Sequence, residues 1–515
     1  MNRTALECRF ILFAALGVFA LLKTQSIHFS AGDENIYFYL ADQVAAGAVP
    51  YRDFFHAHPP LHLMSLAIAN LASGGFLLLS MRLVAIASTV GAALLLTRTA
   101  PSVGLRVATY GAAVFLLSFD VLRLSTHPVG VNLAGLFVAL AFERLARNKD
   151  LQAAIAFCCG GFTMLVAAPA AVGAALVLLF AEPKRGVRFI AYGGTLIVAL
   201  NVAATALFGT PYLDQVYLFH FGKTAVGSTT FNTFATVAQG GGLLLATASM
   251  GVVALILGVR VAKQVPNEPH ATDEPTPQSL RQVVNQDLVL FASIGGAVAS
   301  ILFLLFANRI FIYYFQVLFV CLVPLAGYGV AALCKAVRDS FDRSLDDVQL
   351  NEARLAAGVL LFLLLAGQFP NYATRGEHGV TNISQYLAHE ADVFESAEPI
   401  AKQVSEHCEA DATVFGDSTA APLVALLADR TLSLGEADTN QMRFRSDADA
   451  SHRFIERLEA EPPCAVVFRE KHGVFVVPAF AHWLDAHYTP AFETQNQLGT
   501  RRFTLFVRKS ARAND

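Results

Sequence analysis

The stretch "GDENIYFYLADQVAAGAVPYRDFFHAHPPLH", residues 32 to 62, gathers carboxylates and imidazoles between two apolar runs. Asp33 and Glu34 open a helical pattern that continues through Val44. Acids at that place cap orphan N–H groups and complement the helix dipole. The same physics keeps a carboxylate ionised, which suits a general base or a metal ligand. Further on, Pro59-Pro60 ends any helix and fixes an extended approach to the next apolar run. His56, His58 and His62 are spaced by two and four residues, and alternate residues of an extended strand share a face. His56 and His58 are therefore candidate ligands for a divalent metal, against the plainer reading of amphipathic histidines at the lipid headgroups.

Other polar residues sit at the ends of apolar runs. Arg123, Lys223 and Arg309 fall on the side where few cations are expected, and they suit an anionic lipid headgroup. The plainer reading is that each only snorkels to the interface. Asp120 and His127, in "SFDVLRLSTHPVGVN", stand at the same helix end and make Asp120 a candidate second acid. "VFGDSTAAP" lacks the glycine-rich nucleotide-binding patterns and the G-x-S-x-G elbow, and reads as an ordinary strand-to-helix turn.

These residues need elements to hold them, and composition says which. The chain is 55% hydrophobic and only 15% charged, with 40 Phe in 515 residues. Apolar runs long enough to cross a bilayer recur through the first 370 residues, without the alternation of barrel strands. The expectation is a polytopic α-helical membrane protein. A net charge of −3 argues against a nucleic-acid partner, and the seven cysteines show no metal-binding spacing. The N-terminus lacks a small-x-small cleavage site and reads as an uncleaved first helix starting in the cytoplasm.

Lys/Arg bias in the loops fixes the parity. Residues 28–75 form a first outer loop, with 61–73 lying at the interface. Spans follow at 76–97, 104–120, 129–146, a hairpin over 151–181 turning near Ala168-Pro169, then 187–208, 238–259, 287–306, 311–334 and 354–369. This gives about eleven spans, with a cytoplasmic linker at 261–286. Residues 1–369 thus form the membrane domain. Residues 370–515 are polar and mixed, and read as an extracytoplasmic α/β domain with strands in "ATVFGD", "CAVVFRE" and "RRFTLFVRK". Cys408 and Cys464 each precede a strand, and a disulfide between them suits an oxidising compartment.

The order of first helix, Asp-Glu loop, "GAVPYRD" and "HPPL" resembles the membrane glycosyltransferases of the GT-C superfamily. The likeness is to bacterial relatives of protein O-mannosyltransferases and lipid A aminoarabinose transferases. "NRIFIYYFQVLFVCLVP" is similar to that family's late Arg…Tyr…Pro segment. The resemblance implies transfer of a sugar from a polyprenyl-phosphate donor to a lipid, glycan or protein acceptor at the outer face of the cell membrane, with inversion. It implies Asp33 as base, Glu34 as its neighbour, and Arg309 in the lipid-phosphate site. Tyr313, Arg123, Asp120 and His58 are the further substrate-binding candidates. The sequence departs from the pattern where His58 replaces Lys before Pro-Pro, where Thr126-His127 stands near an expected Asp, and near Met164, where a Lys is expected.

Two other readings compete. A transporter or flippase would keep its ionisable residues near the bilayer midplane and show repeated halves. A sensor would use its outer domain for a ligand and the membrane part as an anchor.

Overall fold

The computed structural model describes residues 3–26, 33–73, 77–222, 233–235, 237, 242–257, 280–307, 310–342, 397–444, 448–470, 473–495 and 502–509. Among the described residues, its membrane part is built mainly of helices. The helices run α1 Arg3–Ser26, α2 Glu34–Ala45, α3 Pro60–Ala72, α4 Leu77–Thr97, α5 Ala100–Val103, α6 Leu105–Leu117, α7 Phe119–Leu124, α8 Val131–Ala146, α9 Asp150–Thr163, α10 Ala168–Ala181 and α11 Pro183–Phe208. After a wound segment at 211–222 come α12 Gly242–Ile256, α13 Leu288–Phe306 and α14 Phe315–Asp342.

Among the described residues, five helices are long and apolar enough to cross a membrane, and four shorter apolar ones accompany them. Their outer faces carry exposed Phe10, Phe13, Leu207 and Phe306. Such apolar surface is stable only against lipid. Inside the bundle, α6 and α14 meet backbone to backbone. A Cβ on Gly111 would run into the Val323 carbonyl, and one on Gly327 into that of Val107. Small residues at crossings are how membrane helices approach closely where no hydrophobic force draws them together.

The hairpin expected at Ala168-Pro169 breaks slightly earlier. Met164 is extended, a 3₁₀ turn follows at Leu165–Ala167, and α10 opens with Pro169 in its first turn. Proline suits that position because its missing N–H would be an orphan there anyway. A short helix, Leu280–Gln286, occupies the end of the expected linker, and Arg281 donates to the Ala181 carbonyl at 2.9 Å. The expected span 354–369, the boundary at 369–370 and the rest of the linker, to residue 279, lie outside the described residues.

The C-terminal part is a five-stranded sheet with helices. Strands β1 Thr413–Gly416, β2 Thr431–Leu432, β3 Ala465–Arg469, β4 Tyr488–Gln495 and β5 Arg502–Arg508 lie in the order β2-β1-β3-β5-β4. β1 runs parallel to β2 and β3, whereas β5 is antiparallel to β3 and β4. Phe415, Phe480 and Trp483 pack the core on one side. Cys408 and Cys464, at the entries to the neighbouring strands β1 and β3, form a disulfide. The chain is therefore a multi-pass helical membrane protein carrying a small α/β domain.

Candidate active site

Asp33 precedes the first residue of α2. It stands at the N-cap position, yet its side chain makes no capping hydrogen bond. Tyr313 Oη instead donates to Asp33 Oδ2 at 2.9 Å, from 280 residues away. The tyrosine is held in turn by Phe311, stacked at 5.2 Å. A hydroxyl donated to a carboxylate favours its ionised form.

Glu34 has a different environment. It is fully buried, and Arg82 Nη2 lies 2.5 Å from its Oε1. Arg82, on α4, is itself 1% exposed and lies over the Phe38 ring. His127 Nδ1 lies 3.6 Å from Glu34 Oε2. Burial raises the Glu34 carboxyl, but Arg82 and His127 together outweigh this and hold it below its ordinary value. Burial also depresses His127. Arg82, 2.5 Å away, is the charge that balances Glu34.

Two further basic side chains bear on this group. Lys23, at the end of α1 and buried, donates to Thr126 Oγ1 at 3.4 Å. It and Arg123 both act electrostatically on His127. The 125–130 loop that carries His127 is tied down by Asn132, whose amide donates to the Leu124 and His127 carbonyls. It is then pressed onto α3, where Gly130, at φ +88°, faces the His62 ring so closely that a Cβ there would lie 3.1 Å from it. Asp120 lies fully buried on α7, one turn before Arg123.

The histidines form a separate cluster. The rings of His56, His58 and His62 surround Tyr37 at centroid distances of 6.2, 6.2 and 5.0 Å. His220 packs beside His58 at 5.7 Å. The backbone N–H of His56 donates to Gln215, and Tyr51 donates to the His58 carbonyl. Burial pushes His56 down to about 3, so it is neutral. Among the described residues, no three His, Cys, Asp or Glu side chains are grouped to hold a metal ion. The metal candidates His56 and His58 pack here as rings around Tyr37.

The structure thus brings together Asp33, Glu34, Tyr313 and Arg123 from the expected set, and seats His58 in the adjoining aromatic cluster. Arg309 lies outside the described residues, as does Lys223. Arg82 and Lys23 were not expected as site residues. Their signal was a cation within or at the end of a strongly apolar run, which is expensive unless it has a task.

Nearly the whole chain superposes on a solved structure. ArnT from Cupriavidus metallidurans, solved bound to undecaprenyl phosphate, matches with a TM-score of 0.61 at 12% identity, covering 99% of both chains. The chain shares the fold of that ArnT. The apo form of that ArnT gives 0.59 at 13% identity over 98% of both chains. The Archaeoglobus fulgidus oligosaccharyltransferase, in complex with Zn and sulfate, gives 0.51 at 12% identity, covering 96% of this chain and 72% of that one. No family model and no curated protein matches the sequence. The likeness takes in both the helical bundle and the appended α/β domain, since it covers 99% of this chain.

Proposed function

We propose that this protein is a glycosyltransferase that moves a sugar from a polyprenyl-phosphate donor to an acceptor at the outer face of the cell membrane. The observation that carries the reading is Asp33, a carboxylate at a helix start that does not cap its helix but accepts from Tyr313, beside a cluster holding Arg82, Lys23 and Arg123. Undecaprenyl phosphate bound to ArnT supports a polyprenyl-phosphate donor.

The chemistry follows from charge. Asp33 accepts the proton of an acceptor hydroxyl or amine as that atom attacks the anomeric carbon. The bond from that carbon to the phosphate oxygen breaks, and the cations stabilise the phosphate that leaves. A single displacement inverts the anomeric centre. Glu34 is not a second base in this scheme, because its charge is committed to Arg82. It keeps a guanidinium buried at the site. Arg123 and Arg309 are assigned to the donor phosphate, and Asp120 and His58 to the walls of the site.

The orientation rests on the charge parity of the loops, and the Cys408–Cys464 disulfide supports an oxidising compartment for residues 370–515. The purified protein in vesicles, given a polyprenyl-phosphate-linked labelled sugar and candidate acceptors, should release polyprenyl phosphate and label the acceptor. Movement of intact donor across the vesicle with no cleavage would replace the transferase reading with a flippase.

A further inference from the structure

The α/β domain meets the membrane part at the helix that carries the two acids. Asn35 Nδ2 donates to the Thr419 carbonyl at 2.6 Å, and the Leu432 N–H donates to Tyr39 Oη at 2.8 Å. Asn35 and Tyr39 are four residues apart, so they share one face of α2. Both are buried. Arg443 adds a second point of attachment, its guanidinium 3.8 Å from the ring centroid of Phe55, in the segment between α2 and α3.

The turn that receives Asn35 is rigid. It follows β1 in "GDST", where Asp417 accepts the Thr419 backbone N–H at 2.9 Å and also its hydroxyl. Arg469, at the end of β3, donates to Thr419 Oγ1 at 3.0 Å. A carbonyl accepts only, so the Asn35 amide must present its nitrogen to it, and that sets the side chain's orientation.

We infer that the α/β domain positions the catalytic carboxylate, with Asn35 and Tyr39 as the positioning residues that lock α2 to the Thr419 turn and to β2. Asn35 directly follows Glu34 and stands two positions after Asp33. A rotation of α2 about its axis would therefore carry Asp33 away from Tyr313 and strain Glu34 against Arg82. The ion pair holds one side of α2 to the bundle, and the two hydrogen bonds hold another side to the domain. The helix is clamped between them. Neither Asn35 nor Tyr39 need touch substrate.

The inference rests on the transferase reading, and its test has an arm that does not. Asn35→Ala and Tyr39→Phe should each lower kcat about tenfold while leaving the KM for the donor within about twofold, the pattern of an interaction felt in the transition state. Thr419→Val, in the other domain, should lower kcat in the same direction by loosening the turn. Asn35→Ala combined with Tyr313→Phe should cost little more than the larger single change, because both lose the same placement of Asp33. Hydrogen exchange over residues 36–45 should quicken in Asn35→Ala and in the milder Tyr39→Phe, whether or not the protein transfers sugar. Unchanged exchange in both, or wild-type kcat in both, would overturn the clamp. If wild-type protein transfers nothing, the transferase reading falls, and the exchange measurement still decides the clamp.

Discussion

Two fully buried glutamates, Glu34 and Glu143, mark opposite ends of the bundle, and arginines attend each. Arg82 on α4 pairs with Glu34, and Arg98, just beyond the same helix, lies 3.8 Å from Glu143. Sixteen residues separate those two arginines, about 24 Å along a helix. At the Glu143 end the partners reach water: Arg98, Arg144 and Arg147 are 56%, 28% and 38% exposed. At the Glu34 end Arg82 is 1% exposed. The first group is what the positive-inside rule and helix C-termini produce on their own. The second has no such ordinary cause. A desolvated ion pair is retained at high cost where something must be held in place.

Removing a partner should separate the two ends most sharply. Arg82→Ala leaves Glu34 buried without its counter-charge and should destabilise the protein by about 3–5 kcal/mol. Unfolding in detergent, followed by thermal aggregation or by denaturant, checks it. The double variant Glu34→Leu with Arg82→Met should recover much of that stability while losing transfer, which would assign the pair to function rather than to folding.

Acid should act on the same end. The Glu34 carboxyl is held below its ordinary value, so the pair's stabilisation is complete above that value and is lost as pH falls through the depressed one. Unfolding measured at decreasing pH should show this loss in the wild type and a flatter profile in the double variant. A third change touches the site without its charge balance. Tyr313→Phe should lower transfer about tenfold and change stability by about 1 kcal/mol, the scale of one hydrogen bond. The smallest effect belongs to the other end. Arg147→Ala, 2.6 Å from Glu143, should cost under about 1 kcal/mol, because two other arginines remain and water screens the group. A loss as large as that of Arg82→Ala would erase the distinction between the ends.

Much of this arrangement was legible in the sequence. Hydropathy located α4, α6 and α8 but not the short α5 and α7, and strand patterns found β1, β3 and β5. β2 is only two residues long, and β4 carries Pro490 at a register shift on a sheet edge, so neither presents a clear alternation. The Asp33-Glu34 pair stood out by position, but two adjacent acids look alike until their surroundings are known. Arg82 sits inside "LLLSMRLVAIAS", where averaging over an apolar window hides one cation. Lys23 read as the flank of a span. Tyr313 meets Asp33 only through the fold, and no local pattern links residues so far apart.

The central claim is that Asp33 carries the proton transfer while Glu34 holds Arg82. The most direct measurement is the rate of polyprenyl-phosphate release by Asp33→Asn in vesicles, with protein amount and thermal stability matched to wild type. Asp33 does not cap α2, so its fold should be undisturbed. The expected result is a fall of about a hundredfold or more, the scale of a positioned base. Turnover near the wild-type rate would contradict the account and pass the role of base to Asp120 or Glu34.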